Sequence, residues 1–442
     1  MIALLNSKIS QMLSNEVARN SLFGMFFKLL GLGLGFVMSL LIANLMGVSA
    51  VGLIAFSTSI AVFIRLLISF GTDAYVVKLV AQHQANGASG STNGLLRSLA
   101  IYRAVITALV LLLFYILYQV PALSIARFDS SEFNALIVFI PAFVVGGLTD
   151  LWSGYLRGLK QSWRSFAIEQ ALVSMLTLIF ILAVYWCASL TLISIAVSYF
   201  FANFFAVLIG LYVVIRFSPQ AGQPKRVALP GVLKSAFPFM VTSSMYLVMS
   251  QTDTLMLGLM LSIEEVGVYS IALKLAMLTS VVLLVSNSIV APKISELYTL
   301  NKKEEMISLA RKVVTVLCLI GCLVLLVFVF AGGYILSLWG VAEYADLLVI
   351  LAVGQFINLA TGPVGNLLVM TDYAAIQSRI VMVMALLNVG LNYWLITDYG
   401  VYGAAISTAV VVALTNIMSW IMVWFKHGAA IVPLLSIKGG GR

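Results

Sequence analysis

Apolar residues run through this chain in stretches too long for the helices of a soluble domain. Twelve segments stand out, at 21–46, 51–77, 94–119, 132–156, 165–186, 191–215, 235–261, 266–291, 310–332, 344–370, 378–397 and 402–425. A bilayer's hydrocarbon core is about 30 Å thick, so about 20 apolar residues in a helix cross it. Lipid offers no partner to a free backbone N–H or C=O, so each segment predicts a helix. The runs are continuous rather than alternating, which excludes a membrane barrel. Ahead of the first segment, Ile2, Leu5, Ile9, Met12 and Val17 recur at helical spacing. They predict a short interfacial helix. The first apolar run follows this polar lead-in and exceeds the core of a signal peptide, so no cleavable signal is expected.

Composition sharpens the class. Hydrophobic residues make up 62% of the 442 and charged residues 9%, with a mean hydropathy of +1.10. A soluble domain carries about 25% charged residues. The net charge of +9 would suit nucleic acid only if the cations clustered. They sort by loop instead. Lys8, Arg19, Lys78, Arg97, Arg157, Lys160, Arg164, Arg216, Lys225, Arg226 and Lys234 mark one side in the first half. Lys293, Lys302, Lys303, Arg311, Lys312, Arg379, Lys426, Lys438 and Arg442 mark it in the second, and Arg127 stands alone on the other. The positive-inside rule then predicts cytoplasmic termini. His83 and His427 fall on the same cytoplasmic side. Cys187, Cys318 and Cys322 form no disulfide or metal pattern, and the last two read as packing residues. No cofactor or metal is expected.

The cytoplasmic link 217–234 carries Pro219, Pro224 and Pro230 and separates six segments from six. The predicted organisation is a lobe over 1–216, the link 217–234, a second lobe over 235–426, and a tail over 427–442. The halves share a weak repeat. At an offset of 215, Val51-Gly52 falls on Val266-Gly267, Ala61 on Ala276 and Lys78 on Lys293. Parallel repeats of whole bundles are a known transporter plan.

Several motifs together resemble one family. Thr252-Asp253-Thr254-Leu255-Met256-Leu257-Gly258, then Glu264-Glu265-Val266-Gly267-Val268-Tyr269-Ser270-Ile271-Ala272, is similar to a stretch of the Wzx-type polysaccharide-export flippases. These belong to the multidrug/oligosaccharidyl-lipid/polysaccharide exporter superfamily. Gly47-Val48-Ser49-Ala50-Val51-Gly52-Leu53 and Leu156-Arg157-Gly158-Leu159 resemble first-half pieces, and Leu391–Ile396 with Tyr399–Ala405 the penultimate hairpin. The resemblance implies an all-α polytopic membrane protein with two six-helix lobes forming a V, open sideways between helices one, two, seven and eight. It also implies a flippase, not an enzyme, in the bacterial cytoplasmic (inner) membrane. Its partner is then undecaprenyl-pyrophosphate-linked oligosaccharide for O-antigen, lipopolysaccharide, capsule or related glycan. Membrane lipids and other glycan-assembly proteins are further partners, and nucleic acid is not.

Charges inside the segments give candidate chemistry. A mid-bilayer cation costs about 2.5–3.5 kcal/mol, so it marks function by default. By position, Lys28 lies in the inner third, Arg65 near the midplane and Lys274 in the outer third. Together they form a candidate ladder for a pyrophosphate, which Arg grips by paired hydrogen bonds. Ser57, Ala61, Arg65, Ser69 and Thr72 form one small polar stripe, and Gly24, Lys28, Gly31, Gly35 and Ser39 another. Thr242, Tyr246, Ser250 and Asp253 form a third. Such stripes line cavities or bring helices close. Depth matching pairs Lys28 with Asp73 and Lys274 with Asp253, leaves Arg65 without an acid, and assigns Asp150, Arg157 and Glu169 to one cytoplasmic hairpin. Asp73, Asp253, Ser69, Tyr246 and Ser250 are the candidate cavity or coupling residues. Arg103 is expected to snorkel to the headgroups. Gln355, Asn358, Asn366, Asn388 and Asn392 serve as interhelical glue or sugar ligands. Trp163, Trp186, Trp339 and Trp424 suit an aromatic belt. A polymerase or ligase would carry a larger outer loop with catalytic residues. A drug or cation antiporter would place acids, not Arg65, at the midplane. The alternatives kept are lipid II-type cargo or drug export.

Overall fold

A computed structural model describes residues 16–85, 89–119, 130–187, 189–218, 229–428 and 431–433. The predicted N-terminal interfacial helix, Arg127, most of the 217–234 link and the end of the tail lie outside the described residues. Among those described, eleven helices are long and apolar enough to cross a membrane. The eleventh, Ala374–His427, has 54 residues and departs from helical geometry at Gly400 (φ 58°, ψ −135°). A helix rises about 1.5 Å per residue, so its two arms are each long enough to span. With the two arms taken separately, the described residues hold twelve candidate crossings, the number the hydropathy pattern predicts.

The helices are α1 (Glu16–Met46), α2 (Val48–Ser69), α3 (Thr72–Ala85), α4 (Ser89–Tyr118), α5 (Ser130–Val145) and α6 (Gly147–Gly158). The short α7 (Ser162–Phe166) enters a π-turn, Ala167–Leu172, that continues as α8 (Val173–Cys187); α9 (Leu192–Phe217) follows. The rest are α10 (Leu229–Met260), α11 (Ile263–Thr299), α12 (Lys303–Ser337), α13 (Ala345–Thr361), α14 (Val364–Met370) and α15 (Ala374–His427). Two helices start on reciprocal capping boxes. Thr191 exchanges bonds with Ser194, and Ser262 with Glu265. Each satisfies two N–H groups that the first helical turn leaves free.

The chain forms two compact units, and their borders do not follow the link. The first takes Met1–Ile42 and Phe56–Ser244; the second takes Ala43–Ala55 and Met245–Arg442. The reasons are local contacts. At the start of α10, Phe237 packs on Phe70 and Phe239 on Tyr75, with ring centroids 6.2 and 5.8 Å apart, which binds this end to the first unit. In the second unit α2 meets α11 at two glycines. A Cβ on Gly52 would lie 1.9 Å from the Ile263 carbonyl oxygen, and one on Gly267 would lie 2.2 Å from that of Val48. Only glycine permits so close an approach.

Each unit has its own core. Val76, Leu95, Leu99, Leu151, Leu156 and Val214 are buried together in the first. Ile294, Met306, Val314, Leu367, Met384 and Val423 are buried in the second. The outer faces are apolar as well: Phe330 is 84% exposed, Trp186 82% and Tyr334 78%. Such faces suit lipid, not water. Cys322 is exposed and Cys318 half-buried on α12, so they sit toward this face instead of in the core. Trp339, expected in an aromatic belt, is buried at 2% exposure.

Candidate functional site

The first unit gathers its intramembrane charges where the backbone is interrupted. Segment two does not run through to residue 77. It stops at Ser69, turns through Phe70 and Gly71, and restarts as α3 with Asp73 in its first turn. Segment four likewise breaks at Gly146, and α6 carries Asp150. These breaks redirect the charges. Arg65 meets the Asp150 carboxylate through both Nε, 3.0 Å from Oδ2, and Nη2. Arg65 is thus not the lone cation that depth counting along one straight helix implies. Asp73 pairs not with Lys28 but with Arg103, at 2.6 Å.

Arg103 does not snorkel. Its side chain is 1% exposed and also donates to Thr72 Oγ1 (2.5 Å) and to the Gly147 carbonyl (3.2 Å). A cation so enclosed persists only with this many partners. Glu169, on the π-turn, pairs with Arg157 at 3.6 Å and accepts from Ser153. The expected Arg157–Glu169 pair is present, while Asp150 belongs to Arg65. The Ser57–Thr72 stripe is mostly packing surface: Ser57 and Ala61 are fully buried, Ser69 is 4% exposed and Thr72 is fully buried. Ser69 donates to the Leu66 carbonyl and its own carbonyl accepts from Thr72.

Lys28 has no carboxylate within ion-pair distance among the described residues. Its Nζ lies 5.6 Å from the centre of the Phe166 ring. On either side of it, Gly24 faces Phe166 and Gly31 the Gln170 backbone, so this stripe seats α1 against the π-turn. Gly35, beyond that contact, faces open space.

Among its described residues the second unit holds one buried carboxylate. Asp253 is 2% exposed and accepts four hydrogen bonds. Its Oδ2 receives Tyr269 Oη (2.9 Å) and Thr408 Oγ1 (2.5 Å), and its Oδ1 receives Asn392 Nδ2 (2.6 Å) and Asn388 Nδ2 (3.2 Å). The expected Lys274–Asp253 pair is absent, because these neutral donors enclose the carboxylate. Lys274 is exposed and has no carboxylate at ion-pair distance among the described residues. The side-chain oxygens of Asn388 and Asn392 are buried and accept nothing among the described residues. Through Asp253 these two amides tie α15 to α10, the interhelical role expected of them. Gln355 is glue, accepting from Ser280 and Asn358. Thr242, Tyr246 and Ser250 are exposed on α10, apart from the enclosed Asp253. Arg103, Asp150, Tyr269 and Thr408 escaped the sequence as a set. The one available signal was the four-residue spacing of Asn388 and Asn392, which puts two amides on one helix face.

Comparison with known proteins defines the class. The fold is that of the multidrug/oligosaccharidyl-lipid/polysaccharide exporter superfamily. An inward-closed structure of the lipid II flippase MurJ matches with a TM-score of 0.70 at 14% identity, over 92% of this chain and 88% of that one. An inward-facing multidrug MATE transporter matches at 0.65 and 12% identity, over 87% and 94% of the two chains. A transporter of the superfamily from Pyrococcus furiosus matches at 0.62 and 13%, over 95% and 98%. A model of the polysaccharide biosynthesis protein family matches residues 17–298, and the chain belongs to that family. The MatE family model matches residues 238–394. A comparison with curated proteins gives no significant sequence match.

Proposed function

We propose that this protein is a flippase that moves undecaprenyl-pyrophosphate-linked oligosaccharide from the inner to the outer leaflet of the bacterial cytoplasmic membrane by alternating access. The glycan is an O-antigen, capsule or related unit, and both termini are cytoplasmic. The observation that carries this reading is the asymmetry of the intramembrane charges. Lys28 and Lys274 are cations without ion-pair partners among the described residues, whereas Asp253 is enclosed by four donors. Cations left open suit an anionic headgroup, and a carboxylate out of reach does not suit a cationic drug. Arg65 fits the same role, since its Nε and Nη2 serve Asp150 while Nη1 keeps two donors for a phosphate oxygen.

Asp253 then serves coupling, not cargo. A buried carboxylate without a cation calls for a proton or a small monovalent cation. Rotating the Asn388 and Asn392 amides would aim their unpartnered oxygens at such an ion. Lipid II-type cargo is the second reading, favoured by the likeness to a lipid II flippase.

The test is complementation in a strain deprived of its oligosaccharide flippase, read as surface glycan. The chain should restore it, and Lys274→Glu should abolish the rescue at unchanged abundance. No rescue, together with restored peptidoglycan synthesis in a strain lacking its lipid II flippase, would support the second reading instead.

A further inference from the structure

Away from the buried charges, the first unit carries an apolar cavity of about 360 Å³ between α1, the π-turn and α9, at the end that the positive-inside pattern assigns to the cytoplasm. Phe27, Trp163, Ala167, Ala171, Met175 and Phe217 are among its walls. The π-turn shapes it. A wider turn displaces the helix wall, and the two alanines keep the floor low. The volume lies within the range of about 300–1,000 Å³ typical of small-ligand sites. Bulk lipid chains enter any such groove, so shape alone selects nothing.

The selective element is Arg164. Arg164 is among the lining residues, with its guanidinium stacked 3.6 Å from the centre of the Phe217 ring and 5.0 Å from that of Trp163. It donates once, from Nη1 to Gln161 Oε1 at 2.6 Å. No carboxylate lies within ion-pair distance of it among the described residues. The aromatic rings hold the guanidinium plane, and its remaining N–H groups are left for the oxygens of a phosphodiester. Lys160, four residues before it, and Arg216, next in sequence to the lining Phe217, are exposed and also lack ion-pair partners among the described residues. We infer that this groove is a binding site for one anionic phospholipid of the inner leaflet, with an acyl chain among Phe27, Ala171 and Met175 and the phosphate on Arg164. A headgroup bearing its own ammonium would face three cations, so a net negative headgroup is preferred. The occupied groove would brace the π-turn that holds Glu169 toward Arg157.

The experiment is a native mass spectrometry titration of the full-length, delipidated protein with phosphatidylglycerol, phosphatidylethanolamine or undecaprenyl phosphate. The first phosphatidylglycerol should bind at a lower concentration than the first phosphatidylethanolamine. Arg164→Ala should remove that preference by weakening phosphatidylglycerol about fivefold, the weight of one juxtamembrane cation. Arg164→Lys should restore part of it. Ala171→Trp fills the groove while keeping the charge, and should weaken phosphatidylglycerol as well. Lipid-free melting temperatures of the variants check that each is folded. Equal binding of the two phospholipids, or a preference indifferent to both Arg164→Ala and Ala171→Trp, would overturn the site. Tighter binding of undecaprenyl phosphate than of phosphatidylglycerol, lost in Arg164→Ala, would also overturn it by giving the groove to the proposed cargo's tail.

Discussion

Arg65 and Asp150 are about a quarter exposed, with side-chain exposures of 24% and 22%. Losing one partner strands the other charge. The cost falls between the surface limit of about 0–1 kcal/mol and the buried limit of about 3–5 kcal/mol. Arg65→Leu alone and Asp150→Leu alone should therefore both lower membrane abundance. The double variant Arg65→Leu/Asp150→Leu removes both charges and should recover most of it, measured by immunoblot of purified membranes. If Arg65 also takes a cargo phosphate, the recovered double variant should still export no glycan. Wild-type export by that variant would reduce Arg65 to a structural partner. Asp253 calls for the opposite treatment. Asp253→Asn keeps the shape, and the four surrounding donors leave one oxygen well bound, so the protein should still fold. It removes the charge that a coupling ion would neutralise. Export should fall to background, and dependence on the proton or sodium gradient should vanish; gradient-dependent export at normal rates would exclude Asp253 from coupling. These residue pairings are poorly legible in the sequence because depth along an apolar run assumes an uninterrupted helix. The turn at Phe70–Gly71 and the break at Gly146 both intervene, and each moves an acid to a new neighbour.

Helix number and class follow from hydropathy alone, because about 20 apolar residues in lipid have little choice but to form a helix. Interruptions within an apolar run leave no such mark. The segment read as 344–370 contains α13, a stop at Gly362 and α14, and the segment at 165–186 hides a π-turn. Irregular backbone at membrane depth survives where protein surrounds it, and here the π-turn carries Glu169. The break within α15 is the sharpest. Gly400 combines φ 58° with ψ −135°, a region essentially closed to residues with a Cβ. Close behind it, a Cβ on Gly403 would lie 1.9 Å from the Leu395 carbonyl oxygen. Gly400→Ala should thus destabilise the protein by roughly 1–3 kcal/mol, seen as a lower melting temperature in detergent. Ala404→Gly, on regular helix beside it, should cost about 1 kcal/mol or less. An unchanged melting temperature in Gly400→Ala would mean that the last two crossings do not depend on this turn.

The repeat joins the scales. An offset of 215 maps Val48 onto Ile263 and Gly52 onto Gly267, and the close contacts run from Gly52 to Ile263 and from Gly267 to Val48. Within the second unit, each glycine thus faces the residue four positions before the other, a reciprocal contact. The faint identities thus fall on a reciprocal contact inside the second unit. A repeat that merely survived by descent would not need its matching glycines in reciprocal contact. Two consequences can be measured. Gly52→Ala and Gly267→Ala should have matched effects, each costing about 1–3 kcal/mol, because either added methyl forces α2 and α11 apart. The double variant should cost clearly less than the sum. Once the first methyl has separated the helices, the second finds room, and residues sharing a contact couple by about 0.5–3 kcal/mol. Unfolding of the four proteins in one detergent gives the cycle, and glycan export by the same four shows whether the contact must close during transport. Additive costs would mean that the glycines act at independent sites. Unequal single costs would show that the reciprocity of the geometry does not extend to the energetics of this contact.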